Sequence, residues 1–266
     1  MFGRDYETMK RKTKSRIAIA VALLAAIAAL ALGGFLLYCR MAARTDPSPK
    51  GTGIASFLEP TPEAKDDDGF PVVDWAHWKA VNPAVIGWIT IPGTKVDAPI
   101  LQASKADPNH YLRHDVYGNY NPHGAIFLDA DCDDGLASRN AVILGHHFSG
   151  NPAAAPFGVI ADYKDKAFAK GHAAILLQTP ESKMRYEVRF AQIVKGWEPN
   201  KRTRFADDAD YREWYADALG SASMVLDGQT RPAQTVSLVS CSYNHWKRNE
   251  RTVVTASVEQ TGENHR

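Results

Sequence analysis

Apolar residues fall into three patterns along this chain, and each predicts a different kind of element. Near the N-terminus an uncharged run from Ile17 to Tyr38 is apolar all round, with no polar face. As a helix it spans about 33 Å, enough to cross a hydrocarbon layer of about 30 Å. From residue 39 to 72 the pattern dissolves into Pro, Gly, Ser, Thr and charge, as in DPSPKGTG and EPTPEAKDDDG. That is linker chemistry. Beyond it come short β-type runs bounded by turn residues. Strands are predicted at Val85 to Ile91, Val96 to Leu101, Gly124 to Leu128, Ala141 to Leu144, Ala173 to Gln178, Met184 to Val194, Thr235 to Ser240 and Thr252 to Val258. Eight strands with few helices between them predict a mainly β fold, an eight-stranded closed or nearly closed barrel with peripheral helices. Helical spacing is confined to three places. Asp74 can cap WAHWKAV, which Asn82-Pro83 stops. Asp165 can cap a short piece to Lys170, ended by Gly171. In Ala206 to Leu219, Tyr211, Trp214, Tyr215, Ala218 and Leu219 recur at the spacing of one helix face, and Gly220 ends it.

Charge orients the first pattern. Arg4, Lys10, Arg11, Lys12, Lys14 and Arg16 precede the apolar run and Arg40 follows it. The heavier positive cluster belongs in the cytoplasm, so everything after Arg40 is expected outside the cell. The expected organisation is a cytoplasmic tail (1–16), a transmembrane anchor (17–38), a flexible extracellular linker (39–72), a catalytic body (73–260) and a C-terminal tail (261–266). A cleaved signal peptide is the alternative, with Ala31 to Gly34 as the place to cut, but its apolar core is usually about 7 to 15 residues, shorter than this run. The chain has 266 residues, enough for one folded domain with an accessory segment. With 31 basic and 30 acidic residues the net charge is +1, and no basic stripe with interleaved aromatics is present, which argues against nucleic acid as a partner.

Cysteine usage brings in the chemistry. Cys39, Cys132 and Cys241 are an odd set, which favours a free thiol over a disulfide framework. Cys39 lies at the membrane boundary, and Cys132, in the turn DADCDDG, is expected in a solvated turn. Cys241 ends the apolar pattern TVSLVS, so its sulfur is expected at a strand end facing a groove. A nucleophilic cysteine needs cationic or dipolar help to ionise. Arg251 opens the next strand, RTVVTASV, and a hairpin over residues 242–250 brings its guanidinium back beside the sulfur, where a planar fork of donors suits a developing oxyanion. Arg248, inside the loop, is the second choice. Proton transfer to a leaving amine calls for a histidine. His146 and His147 follow the strand AVILG, and neighbours on an extended chain point opposite ways, so one of the two is expected to face Cys241; His245 also lies near it in sequence. Adjacent histidines lack the spacing of a zinc helix and no Cys-x-x-Cys is present. The carboxylates Asp129, Asp131, Asp133 and Asp134 lack the other ligands of an EF-hand loop. No metal or other cofactor is expected.

The chain resembles the sortases, class B in particular. The segments that carry the likeness are DWAHWKAVNPAVIGWITIPGTKVDAPILQ at Asp74 to Gln102, YLRHDVYGNYNPHGAIFLD at Tyr111 to Asp129, NAVILGHHFSG at Asn140 to Gly150 and SLVSCSYNHWKRNERTVVTA at Ser237 to Ala256. The resemblance implies a barrel transpeptidase that cleaves a sorting motif near the C-terminus of secreted proteins, holds the acyl group as a thioester and passes it to an amine. It places the catalytic histidine at His146, the nucleophile at Cys241 and the arginine at Arg251. The helix at Ala206 to Leu219 matches the insertion that marks class B. It further implies a sorting-motif peptide as donor and, as acceptor, an amine of a lipid-linked peptidoglycan precursor or a pilin lysine, on the outer face of a Gram-positive-type membrane. Val239 stands where class B members commonly have a small hydroxyl residue, and His245 and Trp246 in the loop are not general features. Two rivals remain from the residues alone: a cell-wall cysteine hydrolase with water as acceptor, and a non-catalytic, membrane-tethered barrel that binds peptides with Cys241 buried.

Overall fold

A computed structural model describes residues 66–147, 155–196, 201–229, 231–242 and 249–258. The apolar run at 17–38 lies outside them, as do His245, Trp246 and Arg248. Among the described residues no helix is long and apolar enough to cross a membrane.

Nine strands form one sheet: β1 (Val85–Thr90), β2 (Asp97–Gln102), β3 (Phe127–Leu128), β4 (Asn140–Gly145), β5 (Ala174–Gln178), β6 (Lys183–Lys195), β7 (Met224–Val225), β8 (Thr235–Ser242) and β9 (Glu250–Val258). Their order is β5-β1-β2-β3-β4-β8-β9-β6-β7, and β5 also pairs with β6. That extra pairing closes eight strands into a barrel, with β7 added to the rest of the β6 edge, at Phe190 and Ala191. Closure leaves the barrel with few open edges, which is how all-β folds avoid pairing with other chains. The eight predicted strands are the eight of the barrel. The third shrinks to Phe127–Leu128, because Gly124 takes a φ of +65° and packs against Tyr111 O and the Leu112 backbone, so a turn continues where a strand was expected. β7 was missed, since a pair of residues carries no alternation.

The interior is filled by side chains from many strands, Ile89, Ile100, Val142, Leu238 and Val254 among them, all fully buried. Each such side chain contributes about 1.5–3 kcal/mol by leaving water. A 3-10 helix, Pro156–Lys164, adds Phe157, Ile160 and Tyr163 to the same core. Three α-helices sit around it. In α1 (Trp75–Val81) Asp74 accepts from His77 N, and in α2 (Lys166–Gly171) Asp165 accepts from Phe168 N, so both expected caps form. In α3 (Asp208–Gly220) Asp207 caps the backbone of Ala209 and Asp210 while Tyr211, Tyr215 and Ala218 are buried, with Phe190 of β6 packed against Tyr215 and Ala218.

Two expectations need correction. The linker expected to run to residue 72 is docked by residue 66: Phe70 and Pro71 are buried, Gln178 donates to Pro71 O at 2.9 Å, and Lys183 bridges Asp66 and Asp68. Cys132 is not solvated. Its turn places Asp131 and Asp133 in water but turns the thiol inward beside β4, where Val142 N donates to Sγ at 3.4 Å, and the residue is 2% exposed. Burial pushes its pKa up to about 11, so this sulfur is a poor nucleophile.

Gly145, at the end of β4, faces the flank of Phe157. A Cβ there would lie 2.6 to 2.7 Å from three Phe157 carbons, and Phe157 is itself buried. Gly145→Ala is therefore expected to cost about 1–3 kcal/mol of stability. Urea unfolding measures it, and an unshifted midpoint would show that Phe157 can yield.

Candidate active site

The β8–β9 ladder sets the geometry of the site. Val239 pairs with Val253, Ser240 with Thr252, and Cys241 with Arg251. Directly opposed residues on an antiparallel pair put their side chains on the same face, about 4.5–5.5 Å apart at Cβ. The expected hairpin thus brings the thiol and the guanidinium together. Arg251 is held by its own strand, donating from Nη1 to Glu250 O at 2.8 Å, and it lies over Gly196, where a Cβ would come within 3.4 Å of Nη1. The next pair faces the other way. Ser242 donates to the carboxylate of Glu250 at 2.6 Å, and both side chains are buried.

The parallel pairing of β4 with β8 supplies the third group. It matches Leu144 with Val239 and Gly145 with Ser240, so the chain leaves β4 beside the cysteine and His146 emerges at the strand end. Ser240 donates to Gly145 O at 3.1 Å and fastens the two ends. His146, Cys241 and Arg251 line one cleft, together with Leu112, Lys195 and Lys201. The cleft spans about 780 Å³ with its open mouth included.

The two histidines divide as the alternation required. His146 enters the cleft, and its Nε2 donates to Leu112 O at 2.7 Å. A carbonyl only accepts, so Nε2 carries the proton and Nδ1 is the basic nitrogen of the neutral ring. His147 donates from Nδ1 to Cys241 O at 2.8 Å, tying the cysteine's backbone to the segment after β4. Burial pushes the His146 pKa down from 6.5; the Leu112 bond opposes this, and His123, Arg251 and Arg113 add repulsion. The ring is therefore mostly neutral at pH 7.

Leu112, Lys195 and Lys201 were not singled out from the sequence. A backbone carbonyl carries no side-chain signal, and the lysines read as ordinary charged positions. Lys201 is also paired with Asp129 at 3.2 Å. The Asp-rich turn around Cys132 is met by cations from elsewhere, with Lys105 and Arg204 on Asp133 and Arg204 on Asp131.

Known proteins resemble the chain in sequence and in fold. A family model described as Sortase domain matches residues 89–259. Sortase B of Staphylococcus aureus is 26% identical over 180 residues, covering 67% of this chain and 71% of that protein. Sortase B of Listeria monocytogenes is 32% identical over 92 residues, 35% of each chain. Among solved structures, a Staphylococcus aureus sortase B–substrate complex superposes with a TM-score of 0.61 at 23% identity, covering 70% of this chain and 85% of that one. Clostridium perfringens sortase B gives 0.62 at 23% identity, covering 69% and 98%.

Proposed function

Since the chain belongs to the sortase family of cysteine transpeptidases, with sortases B as its relatives in sequence and fold, we propose that it is a membrane-anchored transpeptidase acting through Cys241, His146 and Arg251. The observation that carries the assignment is the cross-strand pairing of Cys241 with Arg251 in the cleft that His146 also lines. The donor is the C-terminal sorting motif of a secreted protein. The acceptor is an amine of a lipid-linked cell-wall precursor or of a pilin lysine. The run Ile17 to Tyr38 holds the chain in the membrane with residues 1–16 in the cytoplasm and the catalytic body, which begins by residue 66, outside.

The reaction has two halves. The Cys241 thiolate attacks the scissile carbonyl carbon, and the C=O electron pair moves to oxygen, where the Arg251 fork stabilises it. The tetrahedral centre collapses, the C–N bond breaks, and the departing amine takes a proton from Nδ1 of His146. A thioester remains on Sγ. The incoming amine attacks it and loses a proton to Nδ1, the C–S bond breaks, and the thiolate is restored. Leu112 O holds the ring so that Nδ1 rather than Nε2 exchanges the proton.

Mass spectrometry of the intact chain, incubated with a pool of C-terminal sorting peptides, is expected to show one acyl adduct on Cys241. Adding an amine is then expected to discharge it as an amide. Discharge only to the free acid, whatever amine is present, would favour the cell-wall hydrolase, and a Cys241 that never acylates would remove the proposal.

A further inference from the structure

His146 also borders a second cavity, of about 720 Å³ with its open mouth included, which Cys241 and Arg251 do not line. Its walls come from α1, β1, β2 and residues 115–126, and its character is opposite to that of the first. The cleft that holds Cys241 is lined by Lys195, Lys201 (paired with Asp129) and Arg251, and by no carboxylate among the described residues. The second cavity carries Asp97 and Asp115 beside His123, and no lysine or arginine among the described residues. Neither aspartate forms an ion pair with another described residue.

Both carboxylates are aimed by neutral donors, which orient a charge without cancelling it. Asp97 Oδ1 accepts from Trp88 Nε1 at 2.6 Å and from Thr90 Oγ1 at 3.0 Å. Asp115 Oδ1 accepts from the backbone of Tyr117 at 3.0 Å and of Asn119 at 2.9 Å. Around them stand the indoles of Trp78 and Trp88, with centroids 5.4 Å apart. Carboxylates in one cavity with two indoles make a site for an organic cation, held by charge and by the ring quadrupoles.

We propose that this cavity is the entry site of the acceptor, binding its primary ammonium between Asp97, Asp115 and the two tryptophans. The inference rests on the transpeptidase reading given above. It explains why His146 stands between two cavities of opposite sign. The oxyanion of each tetrahedral intermediate forms on the cationic side. The amine arrives as an ammonium on the anionic side, sheds one proton to solvent, attacks the thioester as the neutral base, and gives its second proton to Nδ1 of His146 as the C–S bond breaks. Charge thereby sorts the two substrates into two cavities that share His146.

The test reads binding alone, so it does not depend on a thioester. The full chain in detergent micelles, carrying 5-fluorotryptophan, is titrated with triglycine amide (an α-amine) and with Nα-acetyl-lysine amide (an ε-amine), and acetyl-triglycine amide serves as the uncharged control. Trp78→Phe and Trp88→Phe assign the 19F signals. Saturable shifts of the Trp78 or Trp88 signal with at least one amine, absent with the control, are expected. Asp97→Asn keeps an acceptor for Trp88, and Asp115→Asn lies on a different segment. Each is expected to raise the Kd about fivefold, and Cys241→Ala to leave it unchanged. Which amine binds more tightly tells peptide N-terminus from lysine. Equal shifts with the control, silent tryptophans, or unaltered affinity in both aspartate variants would overturn the proposal. Amine binding without any Cys241 adduct would sink the transpeptidase reading and leave the cation site standing; an adduct without amine binding would do the reverse.

Discussion

Cys241→Ala is expected to lower kcat/KM for amide formation from a sorting peptide and an amine by at least about 10³-fold, leaving no adduct by mass spectrometry. The sulfur is the only atom at this position that can carry the acyl group between the two halves of the reaction. Cys132 cannot replace it, because its thiol is 2% exposed and its pKa is pushed up to about 11. His146→Ala is expected to cost a similar factor, and the double variant no more than either single one, since nucleophile and base act as a unit. Cys241 is only half-buried, so the fold should survive its loss, and circular dichroism would verify that. Substantial residual transfer in folded Cys241→Ala would end the mechanism.

Arg251→Gln is the second large effect. Removing a donor aimed at a developing oxyanion costs about 10²–10³ in kcat. Lysine restores the charge but not the planar fork, so Arg251→Lys is expected to recover only part of the loss. The same variant has a readout in the ground state. Burial is the main reason His146 titrates below 6.5, and Arg251 adds to it by repelling the imidazolium. Taking away a positive charge favours the protonated ring, so the His146 midpoint in Arg251→Gln should rise, while burial keeps it short of 6.5. The general acid is the minority form at pH 7 and grows as pH falls towards that midpoint. Proton NMR of the ring resonances follows the shift, and a midpoint that falls or stays put would mean that the guanidinium does not face the ring.

The sequence carried the barrel because its strands are written in short β-type runs between turn residues. AVIL and TVSLVS could be read from that pattern, and the parallel pairing of the two strands then delivers Gly145 next to Ser240. The Cys241–Arg251 pair was legible for a similar reason: two strands joined by a short loop must fold back on each other. Spacing alone could say that His146 and His147 diverge, and the contacts of Leu112 O and Cys241 O now distinguish them. Other features had no local signature. The 3-10 helix Pro156–Lys164 lacks a 3.6-residue period, yet it supplies Phe157 behind Gly145. Cys132 reads as solvent-facing among aspartates, because only the return of β4 beside that turn decides which way the thiol points. The cavity of opposite charge draws Trp78, Trp88, Asp97 and Asp115 from four separate segments, so no motif announces it.

The cross-strand position of Cys241 and Arg251 bears on how such chains can diverge. A strand shows alternate residues to alternate faces, so inserting one residue between Arg251 and Thr252 would move Arg251 opposite Ser242, swing its guanidinium inward and leave the inserted residue facing the sulfur. The connection between β8 and β9 carries no such parity. A change in the length of that crossing therefore leaves the pair facing each other, whereas a single added residue on the strand beside Arg251 parts it.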